Sequence, residues 1–296
     1  MRIHILGSTH PSAVHLYELL SCHSHYAVVL YARSLSHGAL PFSSLKENLL
    51  EDDLVISFLP IWILNEILIE FALFSSCFRV LIAISSASIY SKVYKSSPDL
   101  ISYLPFLIGE HKLVSSFSDF SKFSPPKIII LRSSMLWGCG RDKNISFIRK
   151  FFIRFRFFPV LTSGYGYRKP LHYHQLSLIV SAIINYDFNI LSSLSIADLS
   201  GPLAMTYYDL ILFVKSTVTG PSFVIKLPPS FVALLLGFFA VLPFKFNFIL
   251  SILSMLDRQA EDLLFDANPH SLPINYDYPH RYSFNSLLYR DYSGSS

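Results

Sequence analysis

The sequence predicts an α/β protein, a doubly wound parallel sheet followed by a smaller, mainly helical C-terminal region. Three observations predict it. Short apolar runs alternate with helical stretches through the first half, a glycine turn joins the first run to an amphipathic helix, and the pattern changes after residue 160. Strands alternating with helices give parallel pairing with right-handed crossovers. Such sheets take their ligands at the carboxyl ends of the strands.

The first strand is RIHIL (2–6), which Gly7 separates from the helix-like run beginning at Pro11. AVVLYAR (27–33) and DLVISFLP (53–60) are the second and third strands. A helix, IWILNEILIEFALF (61–74), leads to the fourth strand, RVLIAISS (79–86). The fifth, KIIILRSS (127–134), is rich in the β-branched residues that suit a strand buried on both faces. Beyond 160, LTSGYGYRKPLH is a turn-rich loop and HYHQLSLIVSAIIN (172–185) has helical apolar spacing. LSIADLSG (194–201) reads as another strand, with further helices at 206–218 and 230–242. The expected division is a nucleotide-binding part (1–160), a substrate-type part (161–280) and a loosely ordered tail rich in Tyr and Ser (281–296).

Composition narrows the class. Hydrophobic residues are 52% and charged residues 15% of the 296, which excludes broad disorder. A net charge of +4 is too mild to argue for a nucleic-acid partner. The basic stretch Arg141–Arg156 is interleaved with phenylalanines at helical spacing, so it reads as an amphipathic helix rather than a base-stacking platform. Cys22, Cys77 and Cys139 are scattered without a CxxC pair, which fits a reducing compartment and hence the cytoplasm. His172-x-His174 lacks a carboxylate partner at matching spacing, so no metal is expected. No secretory leader is expected either. The apolar core Phe231–Leu242 is bounded by prolines and falls short of the roughly 20 residues that span a bilayer. It reads as a buried or interface-lying helix, compatible with peripheral membrane contact.

AISSASIY (83–90), ILRSSMLWGCGRDKN (130–144) and YRKPLHYHQLSLIVSAII (167–184) follow one another in a familiar order. They resemble three motifs of the extended short-chain dehydrogenase/reductase family, in its sugar-nucleotide epimerase/dehydratase branch: SS-x-x-VYG, LRP-x-x-x-YG-x-G and R-x-x-x-H-V-x-D-x-A. The likeness covers roughly residues 1–270. It implies a Rossmann-type fold, an NAD(P) cofactor and a nucleotide-sugar substrate.

The opening turn, Gly7-x-x-His10-x-x-Ala13, keeps the family's glycine spacing with two glycines replaced. Gly7 permits the tight exit from the strand, and Ala13 is small enough for close helix–strand packing. His10 either crowds the pyrophosphate path or offers it a ring N–H. The first-turn amides and the helix dipole favour an anion, with Thr9 beside them. At the end of the second strand, Arg33 and Ser34 stand where NAD-selective proteins usually carry an acidic residue, which mildly favours NADP. The carboxyl ends of other strands add Phe58, Leu59, Pro60, Ser85 and Ser133 as cofactor contacts.

For the chemistry, the resemblance makes Ser86 the residue that bonds the reacting oxygen. It also places the lysine of the family's YxxxK pair at Lys112, in FLIGEHKL (106–113). The tyrosine position is then Ile108, which has no proton to give. Another group, such as His111 or a nearby tyrosine, would have to move the proton. Ser88 and Arg168 are the substrate candidates, Arg168 as a clamp for a diphosphate or else an ordinary surface arginine. Arg141 has a weaker case of the same kind, and the family's histidine at 172 is structural. The expected function is that of an NAD(P)-binding sugar-nucleotide epimerase, dehydratase or reductase. The alternative is a non-catalytic binding or scaffold protein of the same fold.

Overall fold

The computed structural model describes residues 1–34, 38–71, 78–87, 89, 100–119, 126–140, 142, 144–162, 165–185, 188, 192–228 and 230. Its strands are β1 (Arg2–Leu6), β2 (Ala27–Tyr31), β3 (Leu54–Ser57), β4 (Val80–Ser86), β5 (Lys127–Ser133) and β6 (Leu136–Trp137). Then follow β7 (Phe157–Leu161), β8 (Tyr167–Arg168), β9 (Leu171–His172), β10 (Leu194–Leu199), β11 (Met205–Thr206) and β12 (Phe223–Leu227). The helices are α1 (Pro11–Ser21), α2 (Leu45–Asn48), α3 (Ile61–Glu70), α4 (Leu100–Asp119), α5 (Ile145–Phe155), α6 (Tyr173–Ile184) and α7 (Tyr207–Ser216).

Six strands form one parallel sheet in the order β10-β5-β4-β3-β1-β2. The order runs outward from β1 in both directions, the doubly wound arrangement that the strand–helix alternation predicts. Every residue of β3 and all but the last of β4 are buried, as their unbroken apolar runs require. On one face, Ile5, Ile82 and Leu131 pack against Leu16 of α1 and Ile179 of α6. On the other, Leu81, Ala83 and Ile130 meet Leu64 of α3 and Leu113 of α4. A third apolar cluster joins Phe152 of α5, Phe158 of β7 and Leu210 of α7.

The chain beyond residue 160 returns to this sheet. β10 pairs with β5 from Leu194↔Ile128 to Leu199↔Ser133. α6 lies along α1, and the Ser177 hydroxyl donates to Ser12 O at 2.8 Å. The basic stretch forms the amphipathic α5, with Ile145, Ile148 and Phe152 buried while Phe147 and Phe155 stay exposed. Among the described residues, no helix is long and apolar enough to cross a membrane. The apolar segment 231–242 and the tail 281–296 lie outside the described residues.

Candidate functional site

The opening turn owes its shape to Gly7. Its φ is +78°, and a Cβ there would meet the Leu59 side chain at 3.1 Å. The Gly7 and Ser8 amides both donate to Tyr31 O, at 3.0 and 3.1 Å, which pins the turn to the end of β2. His10 then caps α1 with its own ring, Nδ1 accepting from the Ser12 amide at 3.2 Å. A ring nitrogen that accepts carries no proton, so Nε2 is the N–H of a neutral imidazole. Burial keeps it neutral, lowering its pKa to about 4. The ring stacks on Phe58 with centroids 5.6 Å apart.

The expectation of free first-turn amides is corrected here. Pro11 has none, Ser12 serves His10, and Ala13 and Val14 both donate to His10 O, at 2.9 and 3.1 Å. Of these bonds only the one from Ser12 is owed to the histidine ring, since any residue at position 10 would offer the carbonyl. Thr9 is exposed and does not line the large cavity at the ends of β3, β4 and β5. Ala13 is fully buried, as close helix–strand packing demands.

A cavity of about 720 Å³ opens at the carboxyl ends of β3, β4 and β5. His10, Phe58, Leu59 and Pro60 line one side of it. Ser85, Ser86 and Ser133 line another, and the Ser133 hydroxyl donates to Ser85 O at 3.1 Å. Seven candidates read from the sequence therefore meet in one place.

Lys112 does not join them. Gly109 sits where α4 crosses α3 most closely, since a Cβ there would lie 2.7 Å from Ile61 Cγ2. Asn65 Nδ2 also donates to Gly109 O at 2.7 Å, fixing the helix rotation. Phe106, Glu110, Leu113 and Phe117 consequently face inward, at helical spacing. Ile108, 49% exposed, and Lys112, also exposed, fall on the opposite face. The assignment of Lys112 as catalytic and cofactor-binding is thus corrected by the direction of the helix. His111 is exposed as well.

The pair that takes the inward place is Phe106 and Glu110, likewise four residues apart. Phe106 lines the cavity beside Trp62. Glu110 comes down onto a row of polar residues in register across three strands, Ser85↔Arg132↔Asp198. Ser85 Oγ donates to Glu110 Oε1 at 2.5 Å. Arg132 Nε and a terminal guanidinium nitrogen donate to the same carboxylate, at 3.0 and 2.6 Å to Oε2. Burial pushes the Glu110 carboxyl up to about 7, against the Ser85 hydrogen bond and with help from the nearby Asp198 charge. The Arg132 fork opposes that rise by favouring the ionised form. Sequence reasoning missed this network. Its signal was Arg132 following the apolar run Ile128–Leu131 in one strand and Asp198 within LSIADL in the other.

Arg33 and Ser34 are exposed at the end of β2, outside the large cavity. Arg33 borders a smaller hollow with Phe42, Glu66 and Glu70. Arg168 is neither a surface arginine nor a cavity residue. It is 3% exposed, stacks over Tyr207 at 5.6 Å and donates to Tyr167 O. The surface-arginine alternative is corrected accordingly. His172 caps α6 in a box with Gln175, the structural role that the resemblance implies. Ser88 and Arg141 lie outside the described residues.

No family model matches the chain, and no curated protein does. Solved structures do. A GDP-mannoheptose C4 reductase from Campylobacter jejuni with NADP bound superposes with a TM-score of 0.64 at 12% identity, over 99% of this chain and 97% of that one. The chain shares with it a Rossmann-type α/β fold built on a parallel sheet. A human epimerase family protein with NADPH shares that fold at a TM-score of 0.60 and 15% identity, over 99% of both chains. A UDP-glucuronic acid 4-epimerase from Bacillus cereus, in complex with UDP-glucuronic acid and NAD, matches at 0.60 and 17% identity. That likeness covers 76% of this chain and 86% of the epimerase. In this chain the large cavity lies where the sheet's strand order reverses about β1 and β3.

Proposed function

We propose that the chain binds NAD(P)(H) in the large cavity and interconverts an alcohol and a ketone on the sugar of a nucleotide sugar. The observation that carries this reading is the meeting of His10, Ser85, Ser86 and Ser133 around one cavity at the carboxyl ends of the strands. The solved neighbours support it, since they hold NAD, NADP or NADPH, and one holds a nucleotide sugar. The cofactor, when bound, supplies or accepts the hydride.

The residues fit such a group. Gly7 and Ala13 shape the turn, while His10 Nε2–H is a neutral donor for its diphosphate. Phe58, Leu59 and Pro60 form an apolar wall. Ser86 and Ser133 line the cavity where the reacting sugar would lie. Arg33 and Ser34 end the strand on the adenosine side, where a guanidinium favours the 2′-phosphate of NADP. Residues 161–280 supply the substrate-facing part. The exposed thiols of Cys22 and Cys139 suit a reducing cytoplasm. Exposed Phe147, Phe155 and Phe157, with Lys150 and Arg154 beside them, form a face for peripheral contact with anionic lipid. Flotation with phosphatidylserine vesicles tests that face, and protein left at the bottom of the gradient would remove it.

The function is tested by titrating purified protein into NADPH and following its fluorescence. A panel of UDP- and GDP-linked 4-keto and 4-hydroxy sugars is then assayed for hydride transfer. Saturable binding with turnover of at least one panel member is expected. Unaltered fluorescence at high protein concentration would refute the reading.

A further inference from the structure

We propose that Ser85 and Glu110 form the proton relay of this site, Ser85 meeting the reacting hydroxyl and Glu110 taking the proton behind it. The proposal rests on the nucleotide-sugar reading above. It replaces the absent tyrosine–lysine pair with two groups on the inward faces of β4 and α4.

The geometry supports it in three ways. Ser85 lines the cavity, and its hydroxyl points its proton at Glu110 Oε1, 2.5 Å away, leaving its lone pairs to accept. Glu110 is buried and itself lies outside the cavity, so protons reach it from there through Ser85. Arg132 grips the carboxylate from the neighbouring strand, with Nε donating to both oxygens at 3.1 and 3.0 Å.

In the oxidation direction the step balances as follows. The C–H bond of the sugar carbinol would break, its hydride passing to the oxidised nicotinamide that the cavity residues would hold. The hydroxyl O–H breaks, its proton goes to Ser85 Oγ, and the Ser85 proton goes to Glu110. The carbonyl π bond forms from the electrons left on oxygen, and Glu110 ends as a neutral acid beside Arg132. Reduction runs the same transfers backwards, with the reduced nicotinamide as hydride source. A carboxyl raised towards neutrality by burial suits both directions. The charged groups around it are Arg132 from β5 and Asp198 from β10. α3 brings the neutral Asn65 and keeps Glu66 and Glu70 exposed.

The test uses the full chain, with Glu110→Gln, Glu110→Asp and Ser85→Ala variants. Infrared difference spectra between acid and alkaline pH should show a carboxyl titrating near neutrality, lost in Glu110→Gln and displaced in Ser85→Ala. With a turned-over nucleotide sugar, Glu110→Gln should lower kcat by about 10²–10⁴-fold while NADPH affinity holds, and Glu110→Asp should restore part of it. The oxidation rate of the wild type should rise with pH through about 7, and that limb should vanish in Glu110→Gln. NADPH binding with wild-type kcat and pH profile in Glu110→Gln overturns the relay alone. So does the absence of any carboxyl titrating near neutrality. Loss of NADPH binding in the wild type overturns the relay together with the function it rests on.

Discussion

His10 Nδ1 accepts the Ser12 amide at 3.2 Å, so the residue standing in for a glycine consumes a donor that a glycine would release. Its substitution should therefore act on binding and stability in opposite directions. His10→Gly frees the Ser12 N–H and clears the ring from the mouth of α1. NADPH should bind several-fold more tightly, because a charge-assisted amide bond is regained. Losing the cap should cost about 1 kcal/mol or less. Fluorescence titration reads the first effect and urea unfolding the second. Weaker binding in the variant would mean that the His10 N–H contributes more than the amide it hides.

Cofactor choice is expected to turn on Arg33. NADPH should bind more tightly than NADH, and Arg33→Asp should narrow or reverse the preference. Paired titrations with the two nucleotides measure it. Equal affinities, unchanged by the substitution, would take Arg33 out of the site.

Lys112 faces solvent, so Lys112→Ala should leave NADPH affinity and turnover within about twofold of wild type, as surface changes generally do for stability. Ile108→Tyr should likewise bring no gain, because a phenol there points away from the cavity. Activity raised tenfold by Ile108→Tyr would show that α4 turns when the site fills.

Glu110 also makes stability depend on pH. Its pKa rises from 4.5 to about 7 on folding, so between those values the folded chain holds more proton than the unfolded one. This group's stabilisation is fully present below about 4.5 and is lost as pH rises through about 7. His10, held near 4, gives the opposite slope, with stability falling as pH drops below its ordinary 6.5. The difference in Tm between wild type and Glu110→Gln isolates the carboxyl, and it should shrink from pH 4.5 to pH 7. A difference that is flat over this range would place the Glu110 pKa outside it.

The sheet was legible because buried parallel strands carry short apolar runs, as in Leu54–Ile56 of β3, Val80–Ile84 of β4 and Ile128–Leu131 of β5. The turn was half legible. The spacing of Gly7, His10 and Ala13 revealed the βα unit, but not that a histidine ring can cap the helix from inside. The catalytic helix misled, and for a physical reason. Ile108 and Lys112 match the four-residue spacing of the family's pair, whereas helix rotation follows the smallest residue at the crossing, Gly109, and the apolar face of Leu113 and Phe117. Arg168 misled similarly, since a loop arginine can be buried when an aromatic ring such as Tyr207 receives it. Pairings such as Ser85 with Glu110 depend on three elements meeting, which no local pattern encodes.

The bond from Ser177 to Ser12 O joins residues 165 positions apart. During synthesis the opening turn leaves the ribosome first, yet its first helical turn waits for α6 to cover it. β10, which closes the far edge of the sheet, emerges later still. The beginning of this chain is thus among the last parts to be finished, and a nascent fragment ending near residue 160 would carry Leu16 and Leu20 without the Ile179 and Ile183 side of their shared core.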